Sequence, residues 1–227
     1  MEEGEPVAIL ELEKGATFHL RRALAQMAGN SNLTRATWCR QYPDEAREIV
    51  AEYTPRMAAL RSAIQAPAKG DAPTLTYLLG WLKTQLQRGI RVAVIDPITM
   101  MQTGNFGCKE HERFVAEAAN LALRYAASII VVCHPKRGMP GQPVLPCLEN
   151  LPNSAAYERF SDTVLWLEWM AESEDMFKAP APINTELKKF NRLLHCLKVR
   201  LDVNPRRIGF QFEGHTLRHV ECGKLAE

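Results

Sequence analysis

RVAVIDPITMM, residues 91–101, sets four apolar residues ahead of one carboxylate, Asp96. A run this apolar predicts a strand buried in a sheet rather than an exposed edge. Upstream of it, Thr74 to Gln87 has helical spacing, and QAPAKGDAP (65–73) is a loop too short to be a domain linker. Pro43 to Ile64 reads as helix, with Ile49, Val50, Tyr53, Met57 and Leu60 as its inner face and Pro55 kinking or dividing it. Further back, Thr17 to Ala28 is a helix with Phe18, Leu20, Leu24 and Met27 inward, stopped by Gly29-Asn30. Val7 to Leu12 (VAILEL) is a short buried strand.

The same alternation runs downstream. His111 to Ala126 is helical, SIIVVC (128–133) is a buried strand, and residues 138–153 form a loop rich in Pro and Gly. Ser154 to Phe160 is a helical turn, TVLWLE (163–168) and LLHCLKVR (193–200) are strands, and IGFQFE/TLRHVE is a hairpin turning at Glu213-Gly214. Strands alternating with helices, then β-rich sequence, predict an α/β fold in one domain spanning 1–227. Its central sheet is largely parallel, with helices on both faces and an antiparallel C-terminal hairpin.

Composition is that of an ordinary globular protein, with 46% hydrophobic and 24% charged residues. A net charge of +2 excludes a histone-like basic blanket but leaves room for a local basic loop. Six cysteines at 39, 108, 133, 147, 196 and 222 form no CxxC pair, as expected of reduced thiols in an intracellular, cytoplasmic protein. The acidic start MEEGEPVAIL lacks the pattern of a secretory leader, and no apolar run is long enough for a membrane span. His215 and His219 stand four apart, a metal-binding spacing on a helix, but they fall in a predicted hairpin.

In a parallel sheet the ligand sits beyond the carboxyl ends of the strands. Polar residues gather at those ends here: Glu11 and Glu13 after the first strand, Asp96, His134, Asp162 ahead of TVLWLE, and Lys198 with Arg200. Each alone has an ordinary structural reading, as a helix cap, a turn former or a solvated strand end. Their order along the chain carries the weight.

That order resembles the RecA-like ATPase domain of the DnaB/Twinkle-type hexameric replicative helicases. VAILELEKGATFHLRRALAQMAG looks like the family segment in which a strand ends in Ser-Leu-Glu-Met, matching through Glu13, Arg22, Ala25, Ala28 and Gly29. RVAVIDPITMM is similar to the Walker B strand, with Pro97 where Tyr or Asn is more usual. SIIVVCHPKR resembles the sensor strand. NSAAYERFSDTVLWL resembles a Gly-Ser stretch ending in Asp, with Asn153 replacing the Gly, and LKVR then RRIGFQFEG the closing Lys-x-Arg strand and hairpin. The likeness covers nearly the whole chain, diverging over 31–72.

The resemblance implies ATP-driven translocation on single-stranded DNA by a ring of about six subunits, with ATP and Mg²⁺ as cofactors and no membrane partner. Glu13 would activate the attacking water, Asp96 would hold Mg²⁺ through water, and His134 would sense the γ-phosphate. Lys198 and Arg200 would reach a neighbouring subunit's site. Lys136, Arg137, Asn153 and Ser154 would lie toward DNA. One departure is large: no G-x-x-x-x-G-K-[ST] loop occurs in the sequence. The chain is then expected to be either a piece of such a helicase or a non-hydrolysing RecA-like protein kept for DNA binding or oligomerisation. In either case these residues alone are not expected to bind ATP.

Overall fold

The computed structural model describes residues 5–68, 73–103, 107–136, 138, 144–170, 190–200 and 207–225. Six helices run in chain order: α1 Ala16–Ala28, α2 Ala36–Gln41, α3 Pro43–Ala63, α4 Leu75–Gln87, α5 Gly107–Tyr125 and α6 Ser154–Phe160. The strands are β1 Val7–Glu11, β2 Ile64–Gln65, β3 Val92–Asp96, β4 Ser128–Val131, β5 Thr163–Trp169, β6 Arg192–Val199, β7 Arg207–Glu213 and β8 Arg218–Leu225. They fall into two compact units, residues 1–20 with 55–161 and residues 21–54 with 162–227.

The first unit holds a four-stranded sheet of order β2-β1-β3-β4, every pair parallel. Alternate side chains of β1 and β3 are sealed: Ala8, Leu10, Ala93 and Ile95 are at most 1% exposed. Helix α4 covers them with Leu78, Leu82 and Leu86, four apart on one stripe, and α5 adds Phe114. Thr74 starts α4 by accepting the Tyr77 N–H at 3.2 Å through its hydroxyl. The Trp81 indole reaches inward but keeps a partner, donating to Gln65 Oε1 at 2.8 Å.

Three local expectations need correction. SIIVVC is not sealed: Ser128 and Ile130 of β4 are exposed, because β4 ends its sheet and pairs with β3 alone among the described residues. Phe18 is 43% and Val50 47% exposed, so the inner faces of α1 and α3 are narrower than their periodicity predicts. Pro55 does not divide α3, which is assigned unbroken from Pro43 to Ala63.

The second unit carries the antiparallel sheet β5-β6-β7-β8. Antiparallel structure therefore begins at Thr163, well before the C-terminal hairpin. Its small core joins Phe190, Leu193 and Cys222, with Met170 against them. Asn191, 7% exposed, clasps β7 twice: its Nδ2 donates to the Phe212 carbonyl at 3.2 Å and its Oδ1 accepts the Phe212 N–H at 2.7 Å. Gly209 lets β7 pass close to Phe190, since a Cβ there would sit a tight 3.0 Å from the ring. The hairpin turn is two residues longer than expected, spanning 214–217, and β8 starts at Arg218.

Candidate functional site

Parallel pairing brings strand ends together. In the β1–β3 register Glu11 is the partner of Asp96, and the Leu12 N–H continues the ladder to the Asp96 carbonyl at 2.8 Å. The next strand end follows suit, with the Val132 N–H on Ile95 O at 2.9 Å and the Ile98 N–H on Val132 O at 2.8 Å. Glu11, Glu13, Asp96 and His134 thus issue from neighbouring strands at the same edge.

Glu11 is 2% exposed, and a carboxylate so buried needs donors. Its Oε1 accepts the backbone N–H groups of Glu13 at 2.8 Å, Lys14 at close range and Gly15 at 3.3 Å. Gly15 turns with φ +79°, a conformation that costs glycine little, and delivers the chain into α1. From the first turns of α1, His19 returns its Nε2 to close contact with Glu11 Oε2. Glu11 therefore shapes the turn that carries Glu13.

The remaining groups are more open. Glu13 contacts Lys14 at 2.8 Å and His134 Nε2 at 3.8 Å, while His134 Nδ1 lies 3.0 Å from Thr99 Oγ1. The Lys14 hydrogen bond holds the Glu13 carboxyl below the usual carboxylate range, so Glu13 is ionised near neutrality. Asp96 moves the other way: burial raises it, and the nearby Glu11 charge adds to the rise. Two carboxylates sharing a site resist joint ionisation, which makes the spot receptive to a cation.

The other expected site residues are scattered. Lys198 lies on β6 and Arg200 just past its end, in the second unit, where Arg200 pairs with Asp162 at 3.1 Å. Lys136 is exposed yet engaged, its backbone N–H on the Asn150 carbonyl at 2.8 Å and its ammonium on the Glu149 carbonyl at 2.7 Å. Arg137 lies outside the described residues, as do 139–143 of the Pro/Gly-rich loop. Asn153 has φ 56° and ψ 45°, left-handed backbone that Asn tolerates better than most residues. That explains how Asn can stand at a Gly position. Ser154 opens α6. His215 lies in the hairpin turn and His219 on β8, so their spacing is not helical.

His19 and Thr99 escape a reading of strand ends. His19 belongs to a helix, and the signal that could have found it is Gly15, which turns the helix back over the strand from which it came.

No protein-family model matches the sequence, and no curated protein matches it significantly. Solved structures do match. A DnaB-like replicative helicase, studied for its interactions with primase, aligns over 96% of this chain at 16% identity with a TM-score of 0.66. A second solved structure, an isolated ATPase domain, aligns over the whole chain at 16% identity and a TM-score of 0.67, with 76% of that domain covered. The fold is RecA-like. The RadB recombinase supports the same RecA-like core, at 14% identity, a TM-score of 0.55, full coverage of this chain and 81% of its own. This chain spans 51% of the DnaB-like helicase it matches. Among the described residues no helix is long and apolar enough to cross a membrane.

Proposed function

We propose that this chain is the water-activating and metal-carrying part of a DnaB-type helicase ATPase domain, acting inside cells on single-stranded DNA within a ring of about six subunits. What supports the reading is the convergence of Glu13, Asp96 and His134 at the carboxyl edge of a parallel sheet in a RecA-like fold. Glu13, ionised and beside His134, takes a proton from water. Asp96 would hold Mg²⁺, and the paired carboxylates fit a divalent cation. The nucleotide fits less well: a triphosphate needs a cradle of backbone amides, and the motif that supplies one does not occur in these 227 residues. When bound, ATP supplies the phosphoanhydride whose hydrolysis drives movement.

His134, bonded to Thr99, links the site to the loop after β4, where Lys136, Arg137, Asn153 and Ser154 lie toward DNA. Lys198 and Arg200 serve a neighbouring subunit. Arg200 is half-exposed in its pair with Asp162, and exposed pairs contribute about 0–1 kcal/mol, so releasing it is cheap.

The test compares residues 1–227 alone with the same chain carrying an added N-terminal strand and phosphate-binding loop. The bare chain should show no ATPase activity, with or without single-stranded DNA. The extended chain should hydrolyse ATP, and Glu13→Gln should lower its rate by about 10²–10⁴. The missing loop motif favours a second reading, a non-hydrolysing RecA-like protein retained for DNA binding or oligomerisation. Salt-sensitive DNA binding by an extended chain that never hydrolyses ATP would favour it.

A further inference from the structure

We propose that Glu11, His19 and Asp96 form a site for a divalent transition-metal ion of the zinc class, filled without nucleotide. The three residues offer a Glu11 carboxylate oxygen, an imidazole nitrogen and an Asp96 carboxylate oxygen within 4.8 Å of one another. Glu11 Oε1 is committed to three backbone amides, which leaves Oε2 as the ligating atom and fixes its direction. His19 Nε2 is shut off from solvent and lacks a hydrogen-bond partner although it touches Glu11 Oε2. Held there as the neutral ring, His19 would present that nitrogen as a ligand donor beside the two carboxylates. The Phe18 ring stands edge-on to the imidazole at 5.2 Å and restrains it.

Zinc bonds of about 2.0–2.2 Å set tetrahedral ligand atoms roughly 3–3.5 Å apart, so the close His19–Glu11 contact opens and the wider separations narrow, by side-chain shifts on the order of an ångström. The nitrogen decides the class of ion. Magnesium prefers an all-oxygen shell and keeps its waters, whereas imidazole suits zinc and its neighbours. The buried Glu11 carboxylate gains a counter-charge, and Lys14, the nearby cation, is already engaged by Glu13. Two carboxylates and a neutral imidazole leave at least one position for water. The site shares Asp96 with the proposed Mg²⁺ position but needs no phosphate, so its test stands apart from that of the ATPase reading.

The probe is Co²⁺, titrated into the purified full chain without nucleotide and followed by absorbance. One equivalent should bind with weak visible bands and no thiolate charge-transfer band in the near ultraviolet. Zn²⁺ should displace it at equimolar concentration, and a large excess of Mg²⁺ should not. Loss of outer-shell partners alone costs metal sites about 10–100-fold in affinity, so His19→Gln and Asp96→Asn should each weaken Co²⁺ binding by at least that much. Circular dichroism establishes that each variant is folded, and if one is not, the other decides. His215→Gln, remote from the cluster, should bind as the parent does. Absence of stoichiometric binding, a thiolate band, displacement by Mg²⁺, or undiminished binding by a folded His19→Gln chain would each overturn the site. An inactive extended helicase chain that still binds Co²⁺ leaves it standing.

Discussion

The two sheets are built from similar apolar strands, yet one gathers functional groups and the other disperses them. In the parallel sheet all four strands end on the same side, so Glu11, Glu13, Asp96 and His134 meet although they are far apart in sequence. In the antiparallel sheet successive strands end on opposite sides, and its polar contacts are spread along the strands rather than gathered at one edge. Arg200 pairs with Asp162, His195 with Glu168 at 2.8 Å, and Asn191 clasps Phe212. Parallel pairing makes sites; antiparallel pairing here makes seams. The cores differ as well, since α4 and α5 seal the first sheet while the second buries a small cluster around Phe190.

The sharpest test of that difference is truncation. Ile95→Ala, at a fully sealed position, should cost about 3–5 kcal/mol, and Leu193→Ala in the smaller cluster about 2–3 kcal/mol, read from urea midpoints. Equal losses would mean that the second core is not the weaker. Next comes the seam: Asn191→Ala removes two bonds and strands the Phe212 amide and carbonyl, and should cost about 1–3 kcal/mol. A neutral result would show that the β6–β7 ladder holds without its clasp.

A smaller effect separates the units by pH. His111 of α5 is 8% exposed, and burial pushes its pKa below 6.5. The unfolded chain therefore takes up this proton first on acidification. The stability contributed by neutral His111 is complete above 6.5 and is lost as pH falls through the window beneath it. The urea midpoint should drop between pH 7 and pH 5, and His111→Gln should flatten that drop by less than about 1 kcal/mol. An unchanged slope would assign the dependence elsewhere, for instance to His219, which burial also lowers. Smallest of all, Leu167→Ala on the exposed face of β5 should change stability by less than about 0.5 kcal/mol.

The strands of both sheets, β2 apart, were legible because apolar runs bounded by charge have one simple reading; Ile64–Gln65, read as the end of a helix and the start of a loop, is too short to show one. Asp96 and His134 were legible for the same reason, as the first polar residues after such runs. Pairing direction was legible for the central sheet and the hairpin but not for TVLWLE and LLHCLKVR, because such a strand carries the same composition whether its neighbour runs with or against it. The exposure of SIIVVC was equally hidden: an apolar run does not say how many neighbours its strand has. His19 was missed because helical periodicity reports a face, not what that face returns to.

The turn after β1 bears on how mutational scans of this molecule should be interpreted. Glu11 grips the amides of Glu13, Lys14 and Gly15, so its loss would displace Glu13 without touching any reactant. In an activity screen Glu11 would score beside Glu13, the proposed water-activating residue, while serving as its mounting. The two roles separate by chemical rescue: a small carboxylate added in solution can substitute for an exposed proton acceptor at position 13, but it cannot rebuild a sealed bracket that fixes three backbone amides at once.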